Sequence, residues 1–254
     1  MIRTLLTLIL LTTTSLLAQA VSPDWTALLD KQSPPAILEK LDASGKDFYA
    51  AFSAQTAASE KGYILILHGA SQHPAWPYVI NPLRLALPKY GWNTFSIELP
   101  EVKEQASDQH HAALLDQASA HILSAQAFLQ NKGAKRIVLV AYGLGARMAV
   151  DWLSKTPQSA VQALVLISMA DGKKDSGIDT NQELLKINIP VLDVYAEHDM
   201  DKVIQAASER KHHRNRMSKY RQLEIFAADQ YYSQLENELI KRVRGWLQLT
   251  FKNQ

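Results

Sequence analysis

Six short apolar runs, each followed by a helical pattern, constrain this chain more than any single residue does. They are "GYILILHG" (62–69), "GWNTFSIELP" (91–100), "RIVLVAY" (136–142), "VQALVLISM" (161–169), "PVLDVYAE" (190–197) and "RQLEIFA" (221–227). Several are apolar nearly throughout instead of alternating, as expected of strands covered on both faces of a parallel sheet. Helical patterns fall at 80–91, 110–133, 144–156, 182–187, 201–213 and 231–250, and Gly133 stands just past the end of the second. A further strand is expected at 47–55 and a short helical lead at 23–32. Strands alternating with helices predict an α/β class with a mostly parallel sheet and helices on both faces. The 254 residues are 47% hydrophobic and show no linker or repeat, so one domain is expected. The loop after the 161–169 strand leaves no room for a large lid.

The first twenty residues read separately. Arg3 supplies a positive start, "LLTLILLTTTSLL" (5–17) an apolar core, and "AQA" (18–20) small residues suited to cleavage. Residues 1–20 are expected to be a signal peptide, with 21–254 as a periplasmic or secreted domain after cleavage near Ala20. With no cysteine in the chain, neither a disulfide nor a lipidated N-terminal cysteine can form. A net charge of +2 gives no global field for nucleic acid. No metal motif such as HExxH occurs, and no cofactor is expected.

In "LVAYGLGARMAV" (139–150) a strand pattern meets a tight turn and a helix pattern. That is the setting in which α/β-hydrolases present a nucleophilic serine as G-x-S-x-G. Here Ala141 takes the first glycine's place, Gly145 the last, and Gly143 the serine's. Glycine adopts the strained backbone of such an elbow freely, so the turn survives without an attacking oxygen. Tyr142 and Leu144, its neighbours, supply no substitute. A dinucleotide fingerprint starting at Gly143 fails at Met148, where the third glycine is needed for close helix–strand packing.

Three further places belong to the same frame. His68-Gly69-Ala70 ends an early strand, where hydrolases draw a backbone N–H for the oxyanion hole. Asp199 in "YAEHDMD" (195–201) occupies the place of a triad acid. Gln230 in "AADQYY" (228–233) stands where the histidine is expected, and glutamine cannot take a serine's proton at neutral pH.

The runs "LHGASQHPAWPYVINPLRLALPKYGWNTFSIELP" (67–100), "AYGLGA" (141–146) and "AADQYY" (228–233) resemble a bacterial family of uncharacterised proteins. That family occurs mostly in Gram-negative organisms, is classed in the α/β-hydrolase superfamily and carries an export signal. The resemblance spans nearly the whole mature chain and implies a fold and a compartment. It supplies no substrate, and Gly143 and Gln230 depart from the pattern of active hydrolases.

Two functional readings follow. The first is a non-catalytic protein that binds a small molecule, lipid or glycan in the cleft, with His73, Trp76, Tyr231 and Tyr232 as an aromatic rim. The second is an esterase-like hydrolase with a displaced nucleophile, Ser71 or Ser168, and His68, His73 or His198 as base. Separately, Arg210, Lys211, Arg214, Arg216, Lys219 and Arg221 form a run without an acid that suits an anionic surface or partner.

Overall fold

The structure, a computed structural model, describes residues 24–32, 35–101, 107, 110, 114–172, 179–213 and 219–252. Residues 1–20, expected to be a signal peptide, lie outside them, as do Arg214 and Arg216. Eight strands form one sheet: β1 (Ile37–Ala43), β2 (Lys46–Ser53), β3 (Gly62–Leu67), β4 (Trp92–Ile97), β5 (Ile137–Tyr142), β6 (Val161–Ile167), β7 (Val191–His198) and β8 (Tyr220–Asp229). Their order is β1-β2-β4-β3-β5-β6-β7-β8. From β4 onward across the sheet every pairing is parallel, while β1 and β2 run antiparallel. The helices are α1 (Ile80–Ala86), α2 (Leu115–Asn131), α3 (Leu144–Lys155), α4 (Thr180–Leu184), α5 (Asp201–His213) and α6 (Glu236–Thr250).

Period-two alternation divides the central strands between two cores. Leu65, Leu67, Leu139, Ala141, Leu164 and Leu166 pack with α2, α3 and α4 on one face. Ile64, Ile66, Val138, Val140, Ala163 and Val165 pack with α1 and α6 on the other. Burial on both faces is why β3 and β5 read as uninterrupted apolar runs; β4 is equally buried but carries Asn93, Thr94 and Ser96.

The element the hydrophobic pattern does not announce is β1. As an edge strand it is largely open to solvent and carries Glu39, Lys40 and Asp42. The hairpin to β2 turns at Ser44 (φ 56°) and Gly45 (φ 82°), two left-handed residues in the arrangement that matches strand twist. The final helix begins at Glu236, later than the expected 231, because Tyr232 (φ 56°) and Gln234 (φ 64°) turn the chain sharply first.

Candidate functional site

Because β3 lies between β4 and β5, the chain reverses its direction of travel across the sheet there, leaving a crevice at the carboxyl ends of the strands. Leu67 of β3 pairs with Ala141 of β5, and Tyr142 with Ile167 of β6. The segments that follow, His68-Gly69, Gly143 and Ser168, are therefore neighbours, with Asp199 after β7 and Gln230 after β8.

Gly143 has φ 55° and ψ −118°, and its N–H donates to the Ile167 carbonyl (2.9 Å) as α3 begins at Leu144. A Cβ built there would meet only the Gly69 Cα, at 3.7 Å, so a side chain has room and would face the 68–70 loop. Gly145 differs: a Cβ on it would lie 2.3 Å from the His68 carbonyl oxygen, so α3 sits hard against the end of β3. The turn thus keeps the glycine that packing demands at 145 and leaves open space beside Gly143, the position that sequence alignment to the elbow motif expects for a nucleophile.

Asp199 is buried at the foot of this crevice. Its Oδ2 accepts from the Ser168 hydroxyl (2.5 Å) and the Ala196 N–H (3.2 Å), and its Oδ1 from the Met200 N–H (2.9 Å). Because Ser168 spends its proton on Asp199, the Tyr232 hydroxyl, 3.1 Å away, donates to the Ser168 oxygen. Tyr232 is wholly buried, so it belongs to the core and not to the rim predicted from sequence. Burial pushes the Asp199 carboxyl upward, opposed by the Ser168 hydrogen bond and the two backbone donors. The Tyr142 hydroxyl donates to the Gln230 carbonyl (2.9 Å), tying the elbow to the β8 loop.

The histidines offered as bases stand elsewhere. His68 Nε2 accepts from the Leu99 N–H (3.1 Å), so Nδ1 carries the proton and donates to the Gly69 carbonyl (2.8 Å). Both ring nitrogens are spent on backbone, and burial lowers the ring's pKa to about 4. His73 accepts from the Ala75 N–H (3.2 Å) and packs between Trp25 and Trp76. His198 is exposed, 3.7 Å from Glu197. None of these rings hydrogen-bonds the Asp199 carboxylate, whose partners are Ser168 and the Ala196 and Met200 amides. Among the described residues no group of three or more His, Asp or Glu side chains is arranged to hold a metal ion.

His68 gives a pH signature. Its folded pKa lies below the usual 6.5, so between pH 6.5 and 4 the unfolded chain binds a proton that the fold refuses. The neutral ring's contribution is complete above pH 6.5 and is lost as pH falls towards 4. In urea denaturation at pH 7 and pH 4, the stability gap between wild type and His68→Gln should shrink by about 3 kcal/mol at the lower pH. A gap that stays constant contradicts the assignment.

The space directly over the elbow, lined by Gly69, Gly143, Leu144, Ser168 and Met200, holds about 60 Å³. Beside it, sharing Gly69, Ala70, Gln72 and Leu144, opens a cavity of about 680 Å³ reached by Trp25, Phe48, Ser71, His73, Glu98 and His121. Sequence reasoning did not reach Glu98, which anchors this wall. Its carboxylate accepts from the Trp25 indole (2.7 Å) and the Tyr49 N–H (2.7 Å). Ser71 sits on the same loop with φ 54°. Of the expected rim, His73 lines this cavity, while Tyr231 packs against Tyr78. Trp76 lies against the core on the α1 and α6 face.

The basic run also divides. Arg210 is fully buried and pairs with Asp193 (Nε to Oδ2, 2.7 Å), because an acid inside β7 requires a compensating charge. It is not a surface cation. Lys211, Lys219 and Arg221 are exposed.

Solved structures similar to this chain include α/β serine hydrolases and esterases. Est1E from Butyrivibrio proteoclasticus superposes with a TM-score of 0.70 at 12% identity, over 85% of this chain and 99% of its own. An esterase of Pyrococcus furiosus, Pf2001, gives 0.65 at 14%, over 84% and 91%. XC6422 from Xanthomonas campestris, described as an α/β serine hydrolase without lid, gives 0.63 at 13%, over 85% and 94%. At such identities the likeness shows the fold: a single-domain α/β-hydrolase fold without a lid. Comparison with curated protein sequences gives no match. The family model described as "Protein of unknown function (DUF3530)" matches residues 19–113 and 101–249, so the chain belongs to that family.

Proposed function

We propose that this protein is an exported α/β-hydrolase-fold protein that binds a ligand beside the elbow and does not hydrolyse esters through a Ser-His-Asp triad. The observation that carries the reading is the state of the elbow. Gly143 keeps its geometry without an oxygen, and the acid opposite it is engaged by Ser168 and backbone amides instead of an imidazole. Losing a working triad's serine or histidine costs on the order of a million-fold in rate. The 60 Å³ over the elbow holds about two waters, whereas the 680 Å³ cavity is of ligand size. Export rests on the N-terminal pattern of Arg3, the apolar run and "AQA".

The 2.5 Å contact from Ser168 to Asp199 favours the second reading, a hydrolase using Ser168. Against it, Ser168 is 1% exposed and its partner is a carboxylate, a weaker proton acceptor than imidazole at neutral pH.

Purified 21–254 protein and Gly143→Ser should be assayed with a panel of acyl esters. Neither should turn over above buffer, since a restored serine still has no histidine. Gly143→Ser should lose about 1–3 kcal/mol in urea denaturation, the cost of a side chain in this backbone region. Wild-type turnover abolished by Ser168→Ala would overturn the proposal in favour of the second reading.

A further inference from the structure

At the opposite end of the sheet from the elbow, where β7 and β8 begin, α6 leaves a groove of about 290 Å³. We propose that this groove binds a free anionic amphiphile with a single alkyl chain, such as a fatty carboxylate. It is independent of the site beside the elbow.

Its floor is apolar: Leu192, Leu223, Trp246 and Leu249, the last 63% exposed. Its rim is cationic, with Arg221, Lys241, Arg242 and Arg244. One carboxylate, Glu238, serves both Lys241 (3.8 Å) and Arg242 (2.5 Å). The Arg244 guanidinium lies 4.5 Å from the centre of the Tyr90 ring, and its Nε is buried without a hydrogen-bond partner. Arg221, exposed at the start of β8, makes no side-chain hydrogen bond or ion pair with a described residue. The rim therefore carries excess positive charge over an apolar trough, the complement of an anionic head on an alkyl tail.

Gly245 points the same way. It lies in the interior of α6, where glycine weakens a helix, yet no left-handed φ requires it. A Cβ there would meet nothing within 4 Å, so no packing constraint excludes a larger residue. What the glycine does is keep the trough open. At ~30 Å³ for a water-sized group, the groove takes about ten such groups, a single medium chain and not a bilayer patch.

The test is calorimetric titration of the mature protein with hexanoate, octanoate and decanoate below their micelle concentrations. Octyl glucoside and decyltrimethylammonium serve as neutral and cationic controls, and phosphatidylglycerol vesicles as the membrane control. The carboxylates should bind, tightening about fourfold per added methylene until the groove is full, and the controls should not. Arg221→Gln, an exposed change that leaves the fold intact, should weaken decanoate about tenfold. Gly245→Leu should abolish binding without lowering the melting temperature. Wild-type affinity retained by both variants, equal binding of the neutral or cationic amphiphile, or binding of vesicles without decanoate would each overturn the proposal. Inert elbow chemistry bears on none of these outcomes.

Discussion

Replacing Arg210 with alanine is expected to cost this fold about 3–5 kcal/mol, as for other buried charges that lose their partner. Asp193 and Arg210 are both fully buried, with Nε and Nη2 of the arginine 2.7 and 3.1 Å from the two carboxylate oxygens. Tyr220 donates to the same carboxylate at 2.5 Å, Gln222 at 3.0 Å, and Asn181 accepts from Arg210 at 3.2 Å. Removing the guanidinium strands a charge that β7 cannot expose, in the strand that carries Asp199 at its end. Urea denaturation of Arg210→Ala measures the loss. An Asp193→Leu/Arg210→Met pair should recover only part of it, since it removes both charges but leaves the buried Tyr220 hydroxyl and Asn181 carbonyl without these partners. A loss below about 1 kcal/mol would mean the pair is solvated in a way its burial denies.

Gly145→Ala is expected to cost about 3 kcal/mol, at the upper end of overpacking penalties. Its added methyl would press into the His68 carbonyl at 2.3 Å and approach Leu67 at 3.1 Å, so α3 must lift off β3 and the elbow with it. Gly245→Ala is the control, because a methyl there meets nothing. It should stabilise α6 by about 0.8–1.0 kcal/mol, the usual glycine–alanine difference in a helix. Comparable destabilisation by both changes, measured by thermal or urea unfolding, would contradict the close approach at Gly145.

The contrast between these two glycines shows what the sequence holds and what it withholds. Gly143 and Gly145 were legible because an elbow motif assigns each a place, and strand–turn–helix periodicity located the motif. Gly245 had no such frame, and its role appears only once the neighbouring volume is seen. The central strands were readable because burial on both faces leaves an uninterrupted apolar run, while β1, open at an edge and dotted with charges, carries no such mark. Asp193 inside "PVLDVYAE" was a signal that could have been followed further. An acid in a buried strand demands a cation, and Arg210 in the following helix was at hand, though the run of positive charge around it favours a surface reading. Tyr232 went the same way. An aromatic after the last strand suits a rim, and nothing local reveals that a left-handed turn drives it inward onto Ser168. Ser168 is legible as a strand-end hydroxyl that could act as a displaced nucleophile, but its carboxylate partner lies 31 residues away and no local pattern ties the two.

The most direct test of the empty elbow is covalent. Purified protein comprising residues 21–254, treated with a fluorophosphonate probe at neutral pH, digested and read by mass spectrometry, should carry no label on any serine. Glycine at 143 offers no nucleophile, and Ser168 is buried with its proton held by Asp199. Stoichiometric labelling of Ser168 or Ser71, lost on alanine substitution together with ester turnover, would contradict the account and establish a rewired hydrolase.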